Sequence, residues 1–203
     1  MDKYRLDNFT TLAAYEGGQR YKVVTNDAGE ELGIEMAGVL TTFDVVNTNG
    51  SVFTKDSYDG YVDDYYIANE LNVPLVLYHN DKDIRSVAGK VKTMTKTESG
   101  VEIIGWIPRS AYYYNLVKAQ ITEGILQGFS TSGVVLDGQW REDGVLEVKR
   151  FAVLHASLVA TPADTGAKLE VSNTVFEGFE APIDNEVTPS IELKKNNDWR
   201  LLV

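Results

Sequence analysis

The chain of 203 residues has no cysteine. That removes disulfide frameworks, thiolate metal sites and cysteine nucleophiles from consideration. Histidine is almost as scarce, with only His79 and His155. Any metal site would need heavy carboxylate help, so no cofactor or metal is expected. No apolar run approaches the ~20 residues of a membrane span. The N-terminal Met1-Asp-Lys-Tyr-Arg-Leu-Asp7 has no apolar core of a signal peptide, so none is expected. Basic charge is short too: 19 Lys and Arg face 30 Asp and Glu, a net charge of -11. Phosphate neutralisation needs clustered cations, so a general nucleic-acid binder is not expected.

What remains is an ordinary soluble composition, 43% hydrophobic and 24% charged. Strand signals dominate. Arg20–Thr25 alternates and Asn26-Asp-Ala-Gly29 turns it. Ile34–Phe43 reads as a second strand, broken at Asn47-Thr-Asn-Gly50. Residues Thr54–Leu71 are rich in Tyr and Asp, with Gly60 among them, and predict a short or broken helix. Leu75–Tyr78 reads as a buried strand. Gly89–Thr97 and Val101–Ile107 form a hairpin about Glu98-Ser-Gly100. A helix begins after Pro108 and Ser110, carries Tyr114, Val117, Ala119 and Ile121, and stops at Gly124. Gly128–Leu136 and Val145–Ala160 are strands joined by Asp137–Gly144. On the last of these, Ala152, Leu154, Ala156, Leu158 and Ala160 form one small apolar face, with His155 and Ser157 on the other. The sum is a β-rich α+β domain. The expected division is 1–32, an N-terminal extension with a possible hairpin; 33–170, the main domain; and 171–203, an acidic, mobile tail interrupted by Pro182 and Pro189.

Three residues stand out chemically. His79 ends Val73-Pro-Leu-Val-Leu-Tyr-His79, at a strand terminus where a general base can meet solvent. Ser130 lies in Gly128-Phe-Ser130-Thr-Ser132-Gly133, where glycines permit close approach of a substrate. It is not a Gly-x-Ser-x-Gly elbow, and a Ser/Thr-rich strand is its structural reading. His155 is either a surface histidine or the acceptor that orients another imidazole. Hydrolytic triads are defined by role and geometry, not by chain order. A competing reading takes His79, Asp81 and His155 as the facial triad of a non-haem iron oxygenase. Against it, the next basic residue after His155's strand segment is Lys168, beyond the Thr161-Pro162 break.

The motifs as a series resemble the tailed-phage prohead (capsid maturation) proteases, which are related to the herpesvirus assemblins. They are Gly38-Val-Leu-Thr-Thr-Phe-Asp44, the apolar run into His79-Asn-Asp81, Ala88-Gly-Lys-Val91 and Thr97-Glu-Ser-Gly-Val-Glu-Ile103. After the helix come Ile125-Leu-Gln-Gly-Phe-Ser130 and Leu154-His-Ala-Ser-Leu-Val-Ala-Thr-Pro-Ala163. The resemblance spans about residues 34–170. It implies a closed β-barrel ringed by a few helices and a serine endopeptidase acting inside the immature capsid in the bacterial host cytoplasm. Its implied substrates are scaffold protein, the major capsid protein propeptide and the protease itself. A homo-oligomer, a dimer by analogy with assemblins, is implied as well. In this resemblance Ser130 is the nucleophile, His79 the base and His155 the third member, where many phage relatives carry Glu. An acid such as Asp44 or Asp164 is the other candidate for third member. The alternative from another class is an inactive capsid-assembly or scaffold component on the same fold.

Overall fold

In a computed structural model of the chain, residues 13–14, 20–169 and 173–174 are described. The strands are β1 (Ala13–Ala14), β2 (Lys22–Thr25), β3 (Glu31–Thr42), β4 (Ser51–Phe53) and β5 (Pro74–Leu77). They continue with β6 (Val87–Lys96), β7 (Gly100–Pro108), β8 (Gly128–Trp140), β9 (Leu146–Val159) and β10 (Asn173–Thr174). Among the described residues one α-helix, α1, covers Tyr114–Thr122; a π-helical turn covers Val62–Ile67 and a 3₁₀ turn Ile84–Ser86. The expected acidic tail lies outside the described residues, except for β10, which pairs with β1.

Local chemistry explains the turns. Between β2 and β3 the Asn26 carboxamide accepts from the N–H groups of Ala28 and Glu30, and Gly29 takes φ +80°. A side chain that mimics a backbone acceptor makes such a turn self-contained. The β6–β7 hairpin closes through Thr97, whose N–H donates to the Gly100 carbonyl at 2.8 Å. Helix α1 follows Pro108 and buries Tyr114, Val117 and Ile121. Gly124 ends it at φ +70°, and Ile125 N–H reaches back to the Gln120 carbonyl.

β2 to β9 form one eight-stranded mixed sheet in the order β2-β3-β7-β6-β5-β9-β4, with β8 also on β9. Ile34, Met36, Leu40, Leu75, Ile103, Ile107, Phe129 and Leu158 are buried in its curved interior. Burying side chains of this size contributes roughly 1.5–3 kcal/mol each.

The closed barrel expected from the resemblance is not formed. β3 and β8 do not pair, and two isolated bridges, Gly38–Leu169 and Gly128–Lys168, span the space between them. Strand closure needs a continuous register between the two edges, and here a short segment of irregular backbone substitutes for it.

The face assignment on the last long strand is corrected at Leu154, while Ala156 and Leu158 face the core and His155 and Ser157 the other side, as expected. Leu154 is 45% exposed, whereas Phe151 and Val153 are buried among the core residues and His155 is only 4% exposed. The cause is a change of register. Ser132 stands opposite His155 and Gly133 opposite Val153, so Leu154 is an extra, bulged residue on β9.

Candidate active site

β8, β9 and β5 lie side by side. Ser130 is directly opposite Ser157, Ser132 opposite His155, and Val76 of β5 is the partner of Ser157 on its other side. Side chains at alternate positions share a face, so Ser130, Ser132, His155 and Ser157 all point to the outer side of this part of the sheet.

The chain then leaves β5 through two consecutive left-handed residues, Tyr78 at φ +52° and His79 at φ +56°. For residues with a Cβ this conformation is uncommon and must be held by its surroundings. Three hydrogen bonds hold it. Tyr78 N–H donates to the Leu158 carbonyl at 3.1 Å, and Asn80 N–H to the Leu77 carbonyl at 3.0 Å. The His79 N–H donates to Ser157 Oγ at 2.8 Å. The turn thus folds the base back over Ser157, a residue with no solvent exposure.

There the two imidazoles meet. His79 Nδ1 is 3.3 Å from His155 Nε2. On the far side of His155, Nδ1 is 3.9 Å from a carboxylate oxygen of Asp81. Burial pushes the His79 imidazole below the ordinary histidine range, His155 adds to this, and Asp81 opposes it. Burial likewise lowers His155, again against Asp81. Both rings are therefore neutral at pH 7. A neutral pair shares one proton between facing nitrogens, which leaves Nε2 of His79 free for a further partner. Ser130 makes no side-chain hydrogen bond among the described residues.

Of the three sequence-derived residues, the structure brings the two histidines into contact and puts Ser130 on the same face, across from the residue beneath His79. Asp164 does not serve the histidines. Its carboxylate accepts from Thr42 N at 2.5 Å, from Thr42 Oγ1 and from Gly166 N. Asp44 is an exposed left-handed residue whose N–H bonds Phe53. The acid beside the pair is Asp81, two residues past His79. The sequence pattern flagged that spacing as a metal motif, whereas in the structure Asp81 lies near His155 Nδ1 without a hydrogen bond to it. Among the described residues no group of His, Asp and Glu side chains is placed to hold a metal ion, so the facial triad is not assembled.

The unpaired space between β3 and β8 opens a cavity of about 250 Å³. Ser130, Ser132, Leu40, Thr41, Ala163 and Asp164 are among its walls. The backbone N–H groups of Ala163 and Asp164 make no hydrogen bond among the described residues. No helix among those residues is long and apolar enough to cross a membrane.

No protein-family model matches this sequence, and no curated protein matches it. Solved structures do. The KSHV protease, solved with a hexapeptide phosphonate inhibitor, has 17% identity and a TM-score of 0.42, over 68% of this chain and 64% of its own. The bacteriophage T4 capsid assembly protease has 15% identity and a TM-score of 0.54, over 73% of this chain and 93% of its own. The chain therefore has the fold of the T4 capsid assembly protease.

Proposed function

We propose that this chain is a serine endopeptidase of phage capsid maturation, with Ser130 as nucleophile, His79 as general base and His155 as the residue that orients it. The observation that carries the reading is the Nδ1-to-Nε2 contact between His79 and His155 on the sheet face that also carries Ser130. Two neutral imidazoles in one relay, on the face that carries the half-buried Ser130, make a proton-transfer chain that a merely structural face does not require.

Ser130 Oγ attacks the scissile carbonyl. His79 Nε2 accepts its proton and later passes it to the leaving amine, leaving an acyl-serine. Water, deprotonated by the same imidazole, then releases the acid. During each transfer His79 becomes an imidazolium whose Nδ1–H donates to His155 Nε2. His155 in turn presents Nδ1 toward Asp81. A neutral imidazole stabilises the imidazolium less than a carboxylate does, so turnover is slow, adequate for a single event at high local concentration. The N–H groups of Ala163 and Asp164, which make no hydrogen bond among the described residues, are the candidates to hold the oxyanion, since both line the cavity that Ser130 enters.

The register favours Ser130 over Ser132. Ser130 faces Ser157, the residue that fixes the His79 backbone, whereas Ser132 faces His155. The substrates of this reading are scaffold protein, the capsid protein propeptide and the chain itself, met inside the immature capsid within the host cytoplasm. A homo-oligomer belongs to the same reading. The likeness to the T4 protease supports the assignment through the fold.

Intact-mass measurement during incubation tests it. Wild type is expected to accumulate self-cleaved products and to process scaffold, while Ser130→Ala stays intact. Equal behaviour of the two would instead support an inactive assembly or scaffold component on the same fold.

A further inference from the structure

β9 carries one residue more than β8 across the active face, and the consequence is rotational. Phe151 and Val153 turn inward to the core. Unbroken alternation would send His155 and Ser157 inward behind them, because side chains two apart share a face. With Leu154 inserted, the core face resumes at Ala156 and Leu158 instead. His155 and Ser157 then emerge on the side of Ser130. The bulge is what places both the second imidazole and the serine that holds His79.

A bulge takes its backbone groups out of the regular ladder, so they need another partner. Tyr66 supplies it. Its hydroxyl donates to the Val153 carbonyl at 3.1 Å and to the Leu154 carbonyl at 2.8 Å. Tyr66 sits on the π-helical turn Val62–Ile67, with a buried ring packed edge-on against Tyr61 and Tyr65. Turns of this kind are rare and frequently found at functional sites. Burial lifts the phenol to about 12, so it stays a donor at every working pH.

We propose that Tyr66 is a positioning residue for the histidine pair: its hydroxyl fixes the Leu154 bulge and thereby the presentation of His155 to His79. The kinetic part of this proposal rests on the protease reading, but the geometric part does not.

Histidine NMR separates the two. With only two histidines in the chain, the imidazole resonances are assigned by one variant, His79→Gln. Tyr66→Phe keeps the ring packing and removes one donor. It is expected to shift the His155 ring resonances and titration midpoint. In cleavage assays kcat is expected to fall about five- to tenfold, with KM within about twofold, as the loss of one hydrogen bond would give. Tyr66→4-aminophenylalanine retains a donor and is expected to return both readouts toward wild type. Tyr65→Phe, in the same aromatic cluster, is expected to change neither.

Unaltered histidine resonances in folded Tyr66→Phe would overturn the proposal. So would a Tyr66→Phe chain that fails to fold, since the hydroxyl would then be holding the domain rather than the imidazole. Shifted resonances in a chain whose wild type cleaves nothing would leave the positioning role standing and remove the protease reading.

Discussion

His79 Nδ1 and His155 Nε2 stand 3.3 Å apart, their rings tilted by 44° and their centroids separated by 5.5 Å. This contact ties the end of β5 to the middle of β9. It also fixes which nitrogen of His79 faces inward and which is left for chemistry. A base held at one nitrogen is already oriented for transfer at the other, and that reduces the reorganisation needed at the moment of reaction.

The nucleophile is expected to be Ser130. A fluorophosphonate probe should label this residue in active protein, with peptide mapping as the readout. Ser130→Ala should lose the label and Ser132→Ala should keep it. A label found on Ser132 would reverse the assignment and make the residue opposite His155 the nucleophile.

His155→Ala is expected to lower turnover by about ten- to hundredfold. This corresponds to a hydrogen bond to a charged group of roughly 1.5–3 kcal/mol. His79→Ala removes the base itself and should cost more, up to ~10⁴-fold. His155→Glu places a carboxylate where the relay has an imidazole, and it should restore activity where the shorter side chain still reaches Nδ1. Wild-type cleavage rates in His155→Ala would show that the residue only packs.

Stability is expected to fall on acidification. Both imidazoles have folded-state values below the ordinary 6.5. Below pH 6.5 the unfolded chain takes up protons that the folded chain resists, so the free energy of unfolding drops as pH falls. The drop ends once the folded-state imidazoles are themselves protonated. The melting temperature should therefore decline from pH 7 toward pH 5, and the decline should be smaller in a His79→Gln/His155→Gln double variant. An equal decline in both proteins would place the acid sensitivity elsewhere.

Ser157→Ala is expected to destabilise the fold by about 1 kcal/mol, because the partly buried His79 N–H would lose its acceptor. Activity should fall further than stability predicts, since the left-handed turn at Tyr78 and His79 loses its side-chain clamp. Paired denaturation and cleavage assays, both run where the protein is fully folded, separate the two effects. Activity that tracks the folded fraction alone would deny Ser157 any part in placing the base.

Gly128→Ala is expected to destabilise by about 1–3 kcal/mol through overpacking. An added Cβ would sit 2.1 Å from the Ala167 carbonyl oxygen and 2.7 Å from Pro162 Cγ. That clash drives β8 away from the segment that spans the opening beside β3. Denaturant titration provides the measurement, and an unchanged midpoint would show that the segment yields freely.

Much of this protein was legible in the sequence because its signals are local. Alternation located the long strands, Asn26, Gly29 and Gly100 marked the turns, and Pro108 and Gly124 bounded the helix. The motif series singled out His79, Ser130 and His155, and a strand followed by a tight turn is where an imidazole and a substrate can meet. Alternation, however, carries facing only along an unbroken strand. One bulged residue inverts it, and the bulge at Leu154 exists only because β8 pairs with β9 in that register. Alternation alone already set His155 and Ser157 on the face opposite Ala156 and Leu158, whereas the exposure of Leu154 and the burial of His155 were decided by tertiary pairing. So were the opening between β3 and β8 and the choice of Asp81, rather than Asp44 or Asp164, as the acid beside the histidines. Each depends on which distant backbone lies alongside, and a period of two along one strand holds no record of that.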